Sequence, residues 1–183
     1  MSQILELQGR LSFEHIFKAS AGQNGGDPKF SASLLFEKGG TMENKVNAAI
    51  ERVAAERWGA KAAQILAGLR AQDRVCLHNG DLKTYDGYAG MSYIAASSPN
   101  RPAVVNRRGQ PVAESDTVGR PYSGCYVNLF VEIWAMDNQY GKRICATLRG
   151  VQFVKDGDSF AGGAAPMKAG DFSDLGDEDD DLM

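Results

Sequence analysis

Apolar and polar residues alternate from the start of the chain. Leu5, Leu7, Leu11 and Phe13 fall on one side and Glu6, Gln8, Arg10 and Ser12 on the other, which predicts a long strand over residues 4–18. Ala21 to Pro28 then concentrates Gly, Asn and Pro, the residues that turn geometry requires. Lys29 to Glu37 resumes the alternation with Phe30, Ala32, Leu34 and Phe36, so the opening reads as a hairpin with a loop at its tip. The period changes after Lys38-Gly39-Gly40. Val46, Ala49, Ile50, Val53 and Ala54 recur at intervals of three and four, predicting a helix over 42–58 with Thr41 as its N-cap and Glu43 in the first turn. Gly59 permits a stop, and residues 60–69 form a second, shorter helix with Ile65, Leu66 and Leu69 on its buried side. Both helices are expected to cover the sheet.

Residues 75–90 lack a regular period and read as loops. Short strands follow at 91–96 and 103–107, separated by Ser97-Ser98-Pro99-Asn100-Arg101-Pro102. Residues 124–136 carry the clearest strand pattern. Val127, Leu129, Val131, Ile133 and Ala135 make an aliphatic face, with Phe130 and Trp134 on the other, where they are expected to pack beneath the helices. Asp137 to Gly141 turns into a last strand over 142–155. Six strands with one helical insertion between the second and third make a mainly β chain, most simply a closed or partly open antiparallel barrel, with an open α+β sandwich as the alternative.

Composition changes this picture only at the C-terminus. After residue 155 the chain turns to Gly and small residues that cannot bury enough apolar surface to offset the entropy of ordering. The expected division is a domain over 1–155, a flexible Gly-rich linker over 156–170, and a disordered acidic tail over 171–183. That tail holds seven of the 23 acids, leaving 16 against all 20 bases, so a body of +4 is joined to a tail of −7. Such asymmetry suggests a body that attracts polyanions tethered to a segment that can compete with them. Phe172, Leu175, Leu182 and Met183 punctuate the acids, among them Asp179, Asp180 and Asp181, in the manner of a docking peptide with apolar anchors and charges for a basic rim.

Several function classes are disfavoured. The chain holds no apolar run long enough to span a bilayer and opens without a basic cluster and apolar core, so no membrane association is expected and the cytoplasm is the expected compartment. Cys76, Cys125 and Cys145 form no Cys-x-x-Cys pair and read as packing thiols. His78, Asp81 and Asp86 invite comparison with a nuclease metal site, but no second His or Cys stands at ligand spacing. A phosphate-binding Gly-rich loop is missing, and Ser123-Gly124-Cys125 has no evident base. No enzyme activity, cofactor or metal is expected.

Binding to single strands needs a positive track for phosphates and aromatic faces for unstacked bases. Lys83, Tyr85, Tyr88, Tyr93, Arg101, Arg107, Arg108, Arg120, Tyr122 and Tyr126 interleave the two in one stretch, with Arg143 and Arg149 on the last strand. These are the candidate DNA-binding residues. An adaptor whose tail is the active part, with a barrel that does not bind DNA, is the competing reading.

Ser33-Leu34-Leu35-Phe36, Leu77-His78-Asn79-Gly80-Asp81, the Tyr88 to Ser98 stretch, Gly124-Cys125-Tyr126-Val127-Asn128 and the acidic end, taken as an ordered set, resemble a family of phage single-stranded DNA-binding proteins once catalogued only as a phage domain of unknown function. The resemblance implies an OB fold that coats single-stranded DNA in replication, recombination and repair inside the infected bacterium. It also implies an acidic tail that competes with DNA for the groove and contacts phage or host replication proteins. The ending Leu182-Met183 departs from the terminal Phe of related binders. A body of only +4 points to moderate affinity per protomer, strong loss with salt, and self-association into a homo-oligomer along the strand. Duplex DNA stays open as a second ligand.

Overall fold

The computed structural model describes residues 3–21, 25–160 and 172–173. Seven strands and two helices run in the order β1 (Ile4–Ser20), β2 (Lys29–Glu37), α1 (Thr41–Trp58), α2 (Ala62–Ala71), β3 (Leu77–Asn79), β4 (Met91–Ser98), β5 (Ala103–Val105), β6 (Tyr126–Asn138) and β7 (Gly141–Lys155).

Five of the strands close on themselves. β1 pairs antiparallel with β2 on one side and with β6 on the other, Ile4 opposite Glu132 and Arg10 opposite Tyr126. β2 pairs with β4 from Phe30–Ser98 to Glu37–Met91, and β6 with β7 along their whole length. A parallel bridge between Ser97 and Thr147 joins β4 to β7 and completes a barrel in the order β1-β2-β4-β7-β6. This is the OB-type barrel expected from the sequence, and closure leaves the five strands no free edges. β3, absent from the strands expected, pairs with β4 through Leu77–Ile94 and His78–Tyr93. Just before it, Val75 bridges Ile144 and Cys76 O accepts from Ala95 N at 3.0 Å, so this segment fills the gap beside the single closing bridge.

The interior follows the alternation. Leu7, Leu11, Leu34, Ile94, Val127, Leu129, Val131, Ile144 and Leu148 are almost wholly buried in one cluster, which also takes in Val46, Ile50, Leu66 and Leu69 from the helices. α1 starts one residue earlier than expected, with Gly40 rather than Thr41 at the cap; the Glu43 carboxylate reaches back to accept from Gly39 N instead. Lys45 Nζ donates to Glu6 O at 2.6 Å and Trp58 Nε1 to Asp137 Oδ2 at 2.9 Å, tying α1 to β1 and to the end of β6. Because their apolar sides feed the barrel interior, the helices do not cover its outer wall. Phe130 and Trp134 therefore lie outside on β6, Phe130 against Gly150 and Trp134 39% exposed, not beneath the helices as the sequence pattern suggested.

The chain beyond β7, expected to leave the domain as linker, runs back along the barrel as far as Phe160. Tyr122 Oη donates to Asp156 Oδ1 at 2.7 Å, and Arg10 donates through Nε to Gly124 O at 2.9 Å and through Nη2 to Asp158 O. Gly124, at φ 108°, lies so close that a Cβ there would sit 2.1 Å from Asp158 O. Phe160 is buried with Leu35, Tyr88 and Tyr93 in a second apolar cluster on the outside of the barrel.

Candidate nucleic-acid interface

The outer face of β1, β2 and β4 is built from small residues flanked by aromatic ones. Outward positions on β2 and β4 are paired directly across the sheet, Ser31 with Ser97 and Ser33 with Ala95. Their short side chains make a low floor, and Phe13 and His15 of β1 raise one wall. The result is a groove of about 310 Å³ lined by Phe13, His15, Ser31, Ser33, Ala95 and Ser97 together with the backbone neighbours Ala32 and Ala96.

Phe13 is placed there by an irregularity. Simple alternation puts it inside with Leu11, but β1 slips register between Ser12 and His15 and Phe13 adopts φ 48°, a left-handed conformation rare for an L-residue. The ring turns outward, is 48% exposed, and meets Tyr85 edge to face with centroids 4.7 Å apart. Tyr85, in the loop between β3 and β4, is itself half exposed. From this pair an aromatic chain runs inward: Tyr85 to Tyr88 at 5.3 Å, Tyr88 to Tyr93 at 5.1 Å, and Tyr93 stacked on His78 at 4.9 Å.

The sequence candidates occupy different stations. Tyr88 is almost wholly buried, and its Oη donates to Ser12 Oγ at 2.9 Å, so it anchors the loop that carries Tyr85. Tyr93 is buried beneath it, and burial pushes its phenol up to about 12. Tyr122 is buried at the strap after β7, and there too burial, reinforced by the bond to Asp156, pushes the phenol up to about 12. Tyr126 is half-buried with Lys155 Nζ 4.7 Å above its ring. The structure therefore brings Tyr85, Tyr88 and Tyr93 into one cluster, of which Tyr85 presents an open ring.

The cations are more dispersed. Lys83 is exposed in the loop beside Tyr85, Arg108 is exposed in the turn after β5, and Arg143 is exposed on β7. Arg101 lies 6.0 Å from the Phe17 ring centroid on β1. Arg107 donates to Val154 O at 2.6 Å, Arg120 to Glu114 O, and Arg149 pairs with Glu132 at 3.5 Å on the outside of β7 and β6. Of the tail, Phe172 is exposed, while Leu175, Asp179, Asp180, Asp181, Leu182 and Met183 lie outside the described residues.

Three contributors escaped the sequence reading: Phe13, His78 as an aromatic, and Phe160. Phe160 lies with its ring 4.1 Å from the Arg10 guanidinium. His78 Nδ1 sits 2.7 Å from Asp73 Oδ1, and Asp81 is engaged by Lys38 and by Gly90 N, which hold its carboxyl below the usual range. His78 and Asp81 thus serve separate local contacts. Among the described residues no group of three or more His, Cys, Asp or Glu is placed to hold a metal ion, and no helix is long and apolar enough to cross a membrane.

Comparison with known proteins bears on the fold and the family. The structure superposes on the single-stranded DNA-binding protein from bacteriophage Enc34 in complex with ssDNA, with TM-score 0.72 and 27% identity, covering 85% of this chain and 88% of that one. It shares the fold of gp2.5, a single-stranded DNA-binding protein encoded by bacteriophage T7, with TM-score 0.57 and 11% identity over 86% and 89% of the two chains. In sequence it is 41% identical over 169 residues to protein p50 of Acyrthosiphon pisum secondary endosymbiont phage 1, covering 91% of this chain and 90% of the other. The family described as the Enterobacter phage Enc34 ssDNA-binding protein matches residues 2–183, and the chain belongs to that family.

Proposed function

We propose that this protein binds single-stranded DNA without sequence preference, laying the strand along the outer face of β1, β2 and β4. Bases rest on Phe13 and Tyr85 and over the Ser/Ala floor, and Lys83, Arg101 and neighbouring cations meet the phosphates. The observation that carries this reading is the exposed Phe13–Tyr85 pair at the wall of the groove. An apolar ring held open to water at a strained backbone position, as at Phe13, contributes little to stability and suits a stacking role. Membership of the family and the likeness to a relative whose structure contains ssDNA support it. Strands 2 and 3 of OB barrels commonly face oligonucleotides, and β2 and β4 hold those places here.

The tail has a second part in the proposal. Its seven acids compete with DNA for the cationic body, and its apolar residues dock on replication proteins of the phage or its host. The setting is the cytoplasm of the infected cell, during replication, recombination and repair.

Anisotropy of a fluorescent oligo-dT with the full chain and with residues 1–170, at low and moderate salt, tests both parts. Both proteins should bind, the shorter one more tightly, with a difference that shrinks as salt screens the tail. Absence of binding by either protein at low salt overturns the DNA reading and leaves the adaptor as the better account.

A further inference from the structure

We infer that the bound strand does not end at the edge of the groove but crosses the closing seam of the barrel onto the outer face of β6 and β7, where Trp134 forms a second stacking platform. This inference rests on the nucleic-acid reading of the groove.

The path is continuous. Ser97, which lines the far end of the groove, is bridged to Thr147 across the β4–β7 seam. Thr147 Oγ1 in turn accepts from Trp134 Nε1 at 2.9 Å. The bond satisfies the indole's single donor and fixes the side chain, while 39% of the residue stays open to solvent. An exposed Trp held in this way loses little further freedom when a base stacks on its open part.

Charge on this face suits a polyanion. Arg143 stands exposed on β7 and makes no acidic ion pair among the described residues. Its strand neighbour across the sheet is Met136, two positions along β6 from Trp134. The acid of this wall, Glu132, is matched by Arg149 at 3.5 Å, so it does not set a bare negative charge in the path. Four strand spacings of ~4.8 Å separate β1 from β6 around this side, a reach of about 19 Å. OB-type domains bind about 4 to 16 nucleotides, so short strands would fill the groove alone and long ones would reach Trp134.

The test uses full-length protein and two oligo-dT probes, of about 4 and about 16 nucleotides. Trp58, the other tryptophan, is held at Asp137, and a W58F variant leaves Trp134 as the sole indole. Its emission should be quenched by the longer probe and change little with the shorter one. Trp134→Ala should weaken binding of the longer probe by roughly 5- to 150-fold and leave the shorter one unchanged, with Trp134→Phe in between. The fluorescence reading keeps the test decisive even where the alanine variant folds poorly. If both probes bind but Trp134 emission is unmoved and the variants bind normally, the second platform is overturned while the groove stands. If neither probe binds, the groove reading falls and the platform with it. A variant that converts a dimer to a monomer without altering DNA affinity assigns this face to a second copy of the chain and overturns the inference.

Discussion

Phe13 and Tyr85 come from opposite ends of the barrel's construction, one from a bulge in the first strand and the other from a loop before the fourth, and meet edge to face with centroids 4.7 Å apart. Each braces the other while both remain about half exposed. Replacing either with alanine should weaken oligo-dT binding by about 1 to 3 kcal/mol, and the double replacement should cost less than the sum of the singles. Phe13→Gly adds a sharper contrast. Relief of a left-handed conformation worth about 1 to 2 kcal/mol offsets the lost ring contacts, so its urea midpoint should barely move while DNA affinity falls. A large loss of stability in that variant would make Phe13 a packing residue instead.

Phe160 and Gly87 hold the strap and the Tyr85 loop together. A Cβ on Gly87, already at φ 82°, would lie 2.4 Å from the Phe160 ring. Phe160→Ala and Gly87→Ala should each lower stability by roughly 2 to 4 kcal/mol, and because they act on one contact their effects should not add. Chemical denaturation of the two singles and the double decides this; simple additivity would place the two residues in separate units.

Alkaline pH should loosen the same region. Burial raises the phenols of Tyr88, Tyr93 and Tyr122, the last two to about 12, against an ordinary value of 10.0. A phenol with a raised folded value favours the native state in its neutral form. Its contribution is fully present below pH about 10 and is lost as pH climbs through about 12. Urea midpoints should hold steady up to about 10 and then fall, less steeply in Tyr122→Phe. A midpoint that falls equally fast in that variant would remove Tyr122 from the account.

The thiols should behave as packing groups. Cys76 and Cys125 are buried, and burial pushes each up to about 12. Near neutral pH a chromogenic disulfide reagent should leave both untouched in the native protein and reach them only on unfolding. Prompt reaction of either would show that the barrel opens there.

The sequence revealed what depends on period and hid what depends on interruption. β2, β6, β7 and α1 carry long patterns, and their limits in the structure differ from the expected ones by no more than two residues. Phe13 could not be found by parity, because the bulge between Ser12 and His15 reverses the side to which the residues just after Ser12 point. β3 has three residues, too few to display a period, and is held by its neighbours rather than by its own composition. Tyrosine is ambiguous by nature: the same residue type serves as an open ring at Tyr85 and as a buried pin at Tyr88 and Tyr122, and only tertiary contacts separate these roles. Phe160 was obscured by the glycine-rich stretch in which it stands. A hint was available, since a single large aromatic among small residues is a candidate anchor wherever the preceding strand ends against a sheet.

The way the barrel closes also sets when it can form. β1 is made first, yet one of its two partners is β6, with Ile4 opposite Glu132 and Arg10 opposite Tyr126. A chain emerging at roughly 5 to 20 residues per second can assemble the β1–β2 hairpin and the helices early, but the wall supplied by β6 and β7 arrives last. Until then the aliphatic side of β1 faces an unfinished interior. Pairings this distant in sequence slow folding, whereas the long β6–β7 pairing is local in sequence and carries little loop-closure cost. The barrel therefore cannot close until the last third of the domain has been made.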